Sequence, residues 1–331
     1  MSGEGFGGTT GTMLSKGSIA GRRDHVHDLL DAIGTVFVGD PEAVRVAVSA
    51  FLAGGHILLE DVPGVGKTLL AKALAAGIGG TFGRVQGTAD VLPSDLTGVS
   101  IYDERTRDWE FQAGPLFHHV VLVDELNRAT PRTQSSLLEA MAERQVTVDG
   151  TTHALPDPFL VVATQNPHSD VGTFALVAGQ RDRFAVSLSL GLPGRDAEMG
   201  LLRGEGGEGP LATLGAVAPV DSWADLRRSV TAVFVHDLVG AYALDVVDAL
   251  RRQGGATTPV STRAALSLVQ VARAHALLAG RDHAAPEDVQ AVATPCLAHR
   301  LVDATNGDLT VAQQWVAEVV SVVAVPPAPR R

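Results

Sequence analysis

From Arg22 onward, Val26, Leu29, Leu30 and Ile33 recur on one face of a 3.6-residue repeat, which predicts a helix. A second helix is predicted from Pro41, well placed in a first turn, to Leu52. The pattern then changes period. Short apolar runs suited to buried strands follow at His56–Glu60, Phe82–Gln86, Val120–Val123, Phe159–Thr164 and Phe184–Leu188. Between them lie helical runs from Leu69 to Ala76 and from Pro131 to Arg144, the second with Leu137, Leu138 and Met141 on one side. Two alternating stretches predict hairpins. Val99–Gln112 has a polar turn, and Gln145–Leu155 turns at Asp149-Gly150, among the strongest short turn signals. Strands alternating with helices over short connections imply a parallel, three-layered α/β domain.

Pro193, Gly194 and the Gly/Glu/Pro stretch from Gly204 to Pro210 break this pattern. Beyond it the periodicity is helical throughout: Asp237–Arg252, Thr262–Ala279, Pro286–Arg300 and Val311–Val323. The expected organisation is a disordered leader over 1–21, an α/β core over 22–190, a linker over 191–220, a helical domain over 221–325 and a loose tail over 326–331. No repeat of fixed period is present.

Candidate chemistry begins where the first strand ends. The run Val62-Pro63-Gly64-Val65-Gly66-Lys67-Thr68-Leu69 joins a strand to a helix, the context a phosphate-binding loop requires. Gly64 and Gly66 let the backbone curl with its N–H groups turned inward. The following helix N-terminus adds attraction for an anion. Lys67 is placed to bridge the outer phosphates, and the Thr68 hydroxyl to ligate Mg²⁺. The strict pattern wants Gly at the position of Asp61. The bland alternative is a Gly-Pro turn in an ordinary βα unit.

The strand Val120–Val123 ends in Asp124-Glu125. Two adjacent carboxylates at the end of a buried strand are costly to desolvate without a cation or proton. A division of labour accounts for them: Asp124 holds Mg²⁺ through water, and Glu125 polarises an attacking water. Asn166 follows the Phe159 strand at the edge where open α/β sheets bind ligands, and is suited to orienting that water; as part of Asn166-Pro167 it is equally a turn former. Arg183 is expected at the domain edge, in reach of a neighbouring subunit's nucleotide, or else in a surface salt bridge with Asp182. Arg263, early in a helix of the second domain, could swing over the same phosphates or simply be solvated.

A net charge of −11 argues against a general nucleic-acid binder, which would carry a basic face. The single cysteine, Cys296, excludes an intramolecular disulfide and fits a reducing cytosol, so cytoplasmic residence is expected. No apolar run reaches bilayer-spanning length, and no insertion into membranes is expected. His118-His119, His25 and His27 lack metal-ligand spacing, so a bound transition metal is not expected.

Together these residues resemble the MoxR family of AAA+ ATPases, from about Val38 to Val289. The specific stretches are His56–Thr68, Leu92–Leu96, Gly114–Phe117, Val123–Thr147, Thr164–Pro167 and Gln180–Phe184. The resemblance implies an AAA+ P-loop core whose parallel five-stranded sheet has the order 5-1-4-3-2, with a C-terminal helical lid. It makes Asp61 an ordinary occupant of the first loop position. The Val99–Gln112 hairpin corresponds to the family's helix 2 insert and the Gln145–Leu155 hairpin to the one before sensor 1. By position Asn166 is sensor 1, Arg183 the arginine finger and Arg263 sensor 2, while Val38 and Gly39 fall where backbone meets adenine. The implied cofactors are ATP and Mg²⁺. The implied partners are further copies of the chain in a ring, expected to be a hexamer, and a client protein of a class that includes von Willebrand factor A-domain proteins.

The chain departs from the family where a Pro-Glu-Ala-Gln-Leu segment is usual. It reads Val177-Ala178-Gly179-Gln180-Arg181, with an acid missing at Ala178 and a cation added at Arg181, near the expected subunit interface. Thr262 replaces a usual Pro. An ATP hydrolase that remodels a protein is therefore the expectation. Its rivals are an ATP-binding scaffold with little turnover, a metal-chelatase motor subunit, and a DNA motor or clamp loader disfavoured by the acidic balance.

Overall fold

The computed structural model describes residues 16–166, 172–254 and 260–327. Helices α1 (Lys16–Val36) and α2 (Pro41–Leu52) lead into β1 (Ile57–Glu60), α3 (Lys67–Gly77) and β2 (Phe82–Gln86). A short α4 (Pro93–Thr97) precedes the hairpin β3 (Gly98–Asp103) and β4 (Asp108–Ala113). Then come β5 (Val120–Asp124), α5 (Pro131–Glu143), the hairpin β6 (Gln145–Val148) and β7 (Thr151–Ala154), β8 (Leu160–Gln165), α6 (Ala178–Arg181) and β9 (Val186–Leu188). The sheet is parallel, with strands ordered β2-β5-β8-β1-β9. Numbered by turn in the chain, this is the expected 5-1-4-3-2.

The sheet is central because its strands are apolar on both faces. All five residues of β5 are buried, as parallel strands covered on both sides must be. Alternate strand residues feed two cores. Ile57, Leu59, Val120, Leu122, Leu160 and Val162 join α1–α3 and the C-terminal helices. Leu58, Val121, Val123, Val161 and Ala163 join α5 and Phe184 on the opposite face. In the second hairpin Asp149 and Gly150 have φ of 49° and 79°, the left-handed pair that a two-residue turn demands.

Two expectations need correction. Helix α1 begins at Lys16, so the leader expected over 1–21 reaches into helix, while residues 1–15 lie outside those described. The stretch 191–220 is not a plain linker: it holds α7 (Arg195–Leu202) and α8 (Glu208–Thr213) and ends at α9 (Val220–Thr231). Tertiary contacts fold it back on the core. The Gly207 N–H donates to Val36 O at 2.9 Å, and Lys72 Nζ lies 3.0 Å from Glu208 Oε1.

The C-terminal helices are α10 (Asp237–Gly254), α11 (Thr262–Leu278), α12 (Pro286–Leu301) and α13 (Leu309–Val322), with a two-stranded pairing of β10 (Phe234–Val235) and β11 (His283–Ala284). Apolar side chains of all four helices share one core with α2 and β9. Cys296 is buried there, and burial pushes its thiol up to about 12, so it behaves as a small apolar residue. Of the tail expected over 326–331, residues 328–331 lie outside those described. Among the described residues, no helix is long and apolar enough to cross a membrane.

Candidate active site

The carboxyl ends of β1, β2, β5 and β8 converge on a cavity of about 430 Å³. Pro63, Gly64, Gly66, Lys67, Thr68 and Leu69 line it from the loop, and Arg84, Gln86, Asp124, Glu125, Thr164 and Asn166 from the strand ends, with Gly207 and Glu208. Parallel register explains the convergence: Gln86 stands beside Asp124, and Leu59 beside Thr164.

The loop has the curl its glycines predict. Gly64 and Gly66 take φ of 88° and 94°, the left-handed region that disfavours a Cβ. Gly66 caps α3, whose first residue is Lys67, leaving the helix N-terminal N–H groups directed at the cavity. A Cβ on Gly66 would also stand 3.0 Å from the Phe37 ring. Val65 is buried and anchors the loop, while Val62 is exposed; neither lines the cavity.

Asp61 has its own task. Its carboxylate accepts the Leu190 N–H and, at 3.2 Å, the Gly191 N–H. The loop is thereby fastened to the chain leaving β9. Its carbonyl accepts from Lys67 Nζ at 2.6 Å. Burial pushes the Lys67 ammonium below its ordinary value, and Asp61, Asp124 and Glu125 pull it back up.

The two acids differ in setting, as a division of labour requires. Asp124 is buried, with Oδ2 bonded by Arg84 Nε at 2.8 Å and Oδ1 3.4 Å from Thr164 Oγ1. Glu125 is half-buried and has φ 52° and ψ 51°, a left-handed conformation rare for a residue with a side chain. Its N–H donates to Thr164 Oγ1 at 2.9 Å, and its carboxylate accepts from Arg128 at 2.8 Å. Backbone strain of this kind clusters at functional sites. Gly87 permits it: a Cβ there would fall 2.3 Å from Glu125 O.

Thr68, Asp124, Glu125, Lys67 and Asn166 thus share one cavity, but other candidates lie elsewhere. Val38 and Gly39 line a neighbouring cavity with Phe37, His27 and Arg45. Arg263 is exposed in the first turn of α11 and does not line the phosphate cavity. Arg183 is half-buried in a separate cavity with Ser135, Glu139, Glu143 and Gln180, sharing no lining residue with the phosphate cavity. Pro167 of the Thr164–Pro167 stretch lies outside the described residues.

The alternative pairing of Arg183 is corrected: Asp182 pairs with Arg300 of α12 at 2.8 Å, not with Arg183. The added cation at Arg181 is buried and paired with Asp303, because α6 packs beneath the C-terminal helices. The cavity residues that sequence reasoning passed over are Arg84, Gln86, Gly207 and Glu208. Arg84 and Gln86 alternate along β2, Gln86 at its end beside Asp124, a signal available in the sequence; the last two come from a stretch that carries no such pattern.

Comparison with known proteins agrees with this geometry. The ATPase family associated with various cellular activities (AAA) matches residues 56–186, and the AAA lid domain matches residues 249–319. The chain is 41% identical to the uncharacterized protein YeaC of Bacillus subtilis, over 92% of this chain and 97% of that protein. It is 37% identical to Chaperone MoxR1 of Mycobacterium tuberculosis, over 86% of this chain and 78% of that one. The crystal structure of a candidate ATPase from Cytophaga hutchinsonii superposes with a TM-score of 0.83 at 32% identity, covering 94% of this chain and 98% of that one. The P-loop cavity, the sheet order and these relatives place the chain in the MoxR family of AAA+ ATPases.

Proposed function

We propose that the chain is a Mg²⁺-dependent ATP hydrolase that assembles into a ring, a hexamer, and uses the nucleotide cycle to remodel or activate a client protein in the cytoplasm. The observation that carries this reading is the facing of Lys67 and Thr68 with Asp124 and Glu125 across one cavity. A phosphate loop alone binds nucleotide; a strained, half-buried carboxylate beside a buried one adds the means to activate water.

The donor set fits magnesium. Thr68 and Asp124 offer hard oxygen atoms, as Mg²⁺ prefers, and leave room for the waters it keeps. The ion would neutralise charge on the transferring phosphoryl group. Lys67 binds the outer phosphates, Glu125 accepts the proton of the attacking water, and Asn166 orients that water. Val38 and Gly39 meet the adenine from the neighbouring cavity. Arg183 completes the site of an adjacent subunit, which its separation from this chain's own phosphate cavity supports. Arg263 reaches the nucleotide by rotation of the lid.

The division into a core over 22–190 and a lid over 221–325 belongs to this proposal, with the core extended back to Lys16. A relative called a chaperone supports the remodelling role. The von Willebrand factor A-domain client class rests on family resemblance. The test is steady-state ATP hydrolysis with Mg²⁺ at rising protein concentration. A rate per chain that climbs with concentration is expected for a site shared between subunits; no Mg²⁺-dependent hydrolysis at any concentration overturns the reading.

A further inference from the structure

Among the described residues, Arg84 is the one cation in the cavity that the phosphate loop does not supply. It sits in the middle of β2, beside Leu122, yet its side chain reaches forward to the strand end. Both Nε and Nη2 lie 2.8 Å from Asp124 Oδ2. Thr164 Oγ1 stands at the other oxygen. The Asp124 side chain is 12% exposed, whereas that of Arg84 is 54% exposed and borders the same space as Gly64, Gly66, Lys67 and Thr68. The remaining Nη1 of Arg84 has no protein acceptor among the described residues.

These positions set up a competition. Asp124 is the carboxylate that would hold a divalent cation, directly or through water, and its Oδ2 is the atom Arg84 grips. Mg²⁺ dehydrates reluctantly. To be held by Asp124 it must compete with a charge-assisted pair and then sit near a positive guanidinium. A polyphosphate changes the balance. It brings several negative charges into the cavity and offers oxygens that match the planar fork of an arginine better than a single carboxylate oxygen does.

We propose that Arg84 is a phosphate-contacting residue that guards Asp124, so that the carboxylate takes Mg²⁺ only together with a nucleotide polyphosphate. Arg84 passes from Asp124 to the phosphate oxygens as the metal–nucleotide complex enters, and returns when it leaves. The site thereby selects the complex over the free ion, and the metal does not hold the empty cavity shut. This inference rests on the ATP reading above and adds to it a cation from β2.

The test measures binding, not turnover. Mg²⁺ alone and Mg²⁺–ADP are titrated separately by calorimetry into wild type, Arg84→Gln and Arg84→Lys. In Arg84→Gln, Mg²⁺ alone is expected to bind about tenfold more tightly than in wild type, and Mg²⁺–ADP about tenfold more weakly, a charged hydrogen-bonding pair being lost in each direction. Arg84→Lys keeps the charge without the fork and is expected to stay near wild type for Mg²⁺ alone while losing nucleotide affinity. Adding Asp124→Asn to Arg84→Gln should abolish the gain for Mg²⁺. A merely structural ion pair would not move the two affinities in opposite senses. If wild type binds Mg²⁺–ADP and Arg84→Gln matches it for both ligands, this inference is overturned and the ATP reading stands. If wild type binds no nucleotide, the ATP reading fails and this inference with it.

Discussion

The Asp182 carboxylate, one residue before Arg183, is held from above by Arg300 of α12, whose Nε donates to it at 2.8 Å. Ser261, at the entrance to α11, donates to the same carboxylate at 2.9 Å. Arg300 is nearly enclosed, its side chain 3% exposed, and also donates to Phe184 O at 2.8 Å and to Cys296 O. Both neighbours of Arg183, Asp182 and Phe184, are thus tied to α12, and Arg181 two residues before it pairs with Asp303. Movement of those helices therefore carries the Arg183 segment with it.

Breaking this tie should be costly. Arg300→Leu leaves Asp182 with Ser261 alone and removes two donors from buried carbonyls. Loss of one partner from an enclosed ion pair typically costs about 3–5 kcal/mol. Urea unfolding of the variant should show a loss of that order; a change under about 1 kcal/mol would mean the pair is dispensable.

Glu125→Gln should keep Mg²⁺–ATP binding and lower turnover by roughly 10²-fold or more, the upper part of the range for general acid–base groups. The amide keeps the shape and cannot take the proton. Equal kcat in the two proteins, measured by phosphate release, would remove Glu125 from that role.

Gly87→Ala tests whether the left-handed backbone of Glu125 matters. The added methyl would meet Glu125 O at 2.3 Å and Asp124 O at 2.9 Å, both backbone atoms that cannot turn aside. The expected cost is about 1–3 kcal/mol of stability, as for other insertions into packed structure. Turnover should fall more than nucleotide affinity, since the displaced peptide carries both acids. Thermal unfolding and kcat against KM separate the two effects.

Much of this site was legible because its signals are local. The glycine curl needs residues that tolerate positive φ, so Gly64, Gly66 and Lys67 announce it in a row. A buried strand that ends in two acids is equally plain at Asp124-Glu125. What escaped depends on contacts far along the chain. Arg84 acquires meaning only when β2 lies beside β5, and Glu208 only when α8 folds onto α3 near Lys72. Nothing local marks Arg181 as a paired cation, because its partner, Asp303, is 122 residues away. Helices α7 and α8 were hidden by glycines at 204, 206 and 207, which take positive φ in the turns around them. The hydrogen bonding of the Leu190–Gly191 backbone to Asp61 has the same long-range origin.

Arg183→Ala mixed with Glu125→Gln tests a shared site. In a head-to-tail ring each subunit meets a neighbour of the other kind in proportion to the mixture. At equal amounts about a quarter of the sites join an intact Glu125 to a neighbour's intact Arg183, so activity should appear at about a quarter of the wild-type rate although each variant alone has little. Activity no higher than the average of the two separate variants would show that Arg183 does not act on a neighbour's site.

Stability should fall on mild acidification because of two enclosed histidines. His56 Nδ1 accepts the Val161 N–H at 3.0 Å, so Nε2 carries the proton and donates to Met141 O at 3.2 Å. A second proton has no acceptor. Burial, followed by the nearby Arg144 charge, lowers the His56 pKa to about 3. His299 is lowered well below its ordinary value by burial and then by Arg300. The unfolded chain binds these protons near its ordinary pKa of 6.5 and the folded chain does not, so the unfolded state gains as pH falls below that value. The stability is full above 6.5 and declines toward the folded value of about 3 for His56. Between about pH 7.5 and about pH 5.5 His56 should contribute a loss of about 1.4 kcal/mol, and His299 a loss of the same sign. His56→Gln, though less stable at neutral pH, should lose less on the same acidification. Urea midpoints at the two pH values decide it: a variant as acid-sensitive as wild type would show that His56 is not the group responsible.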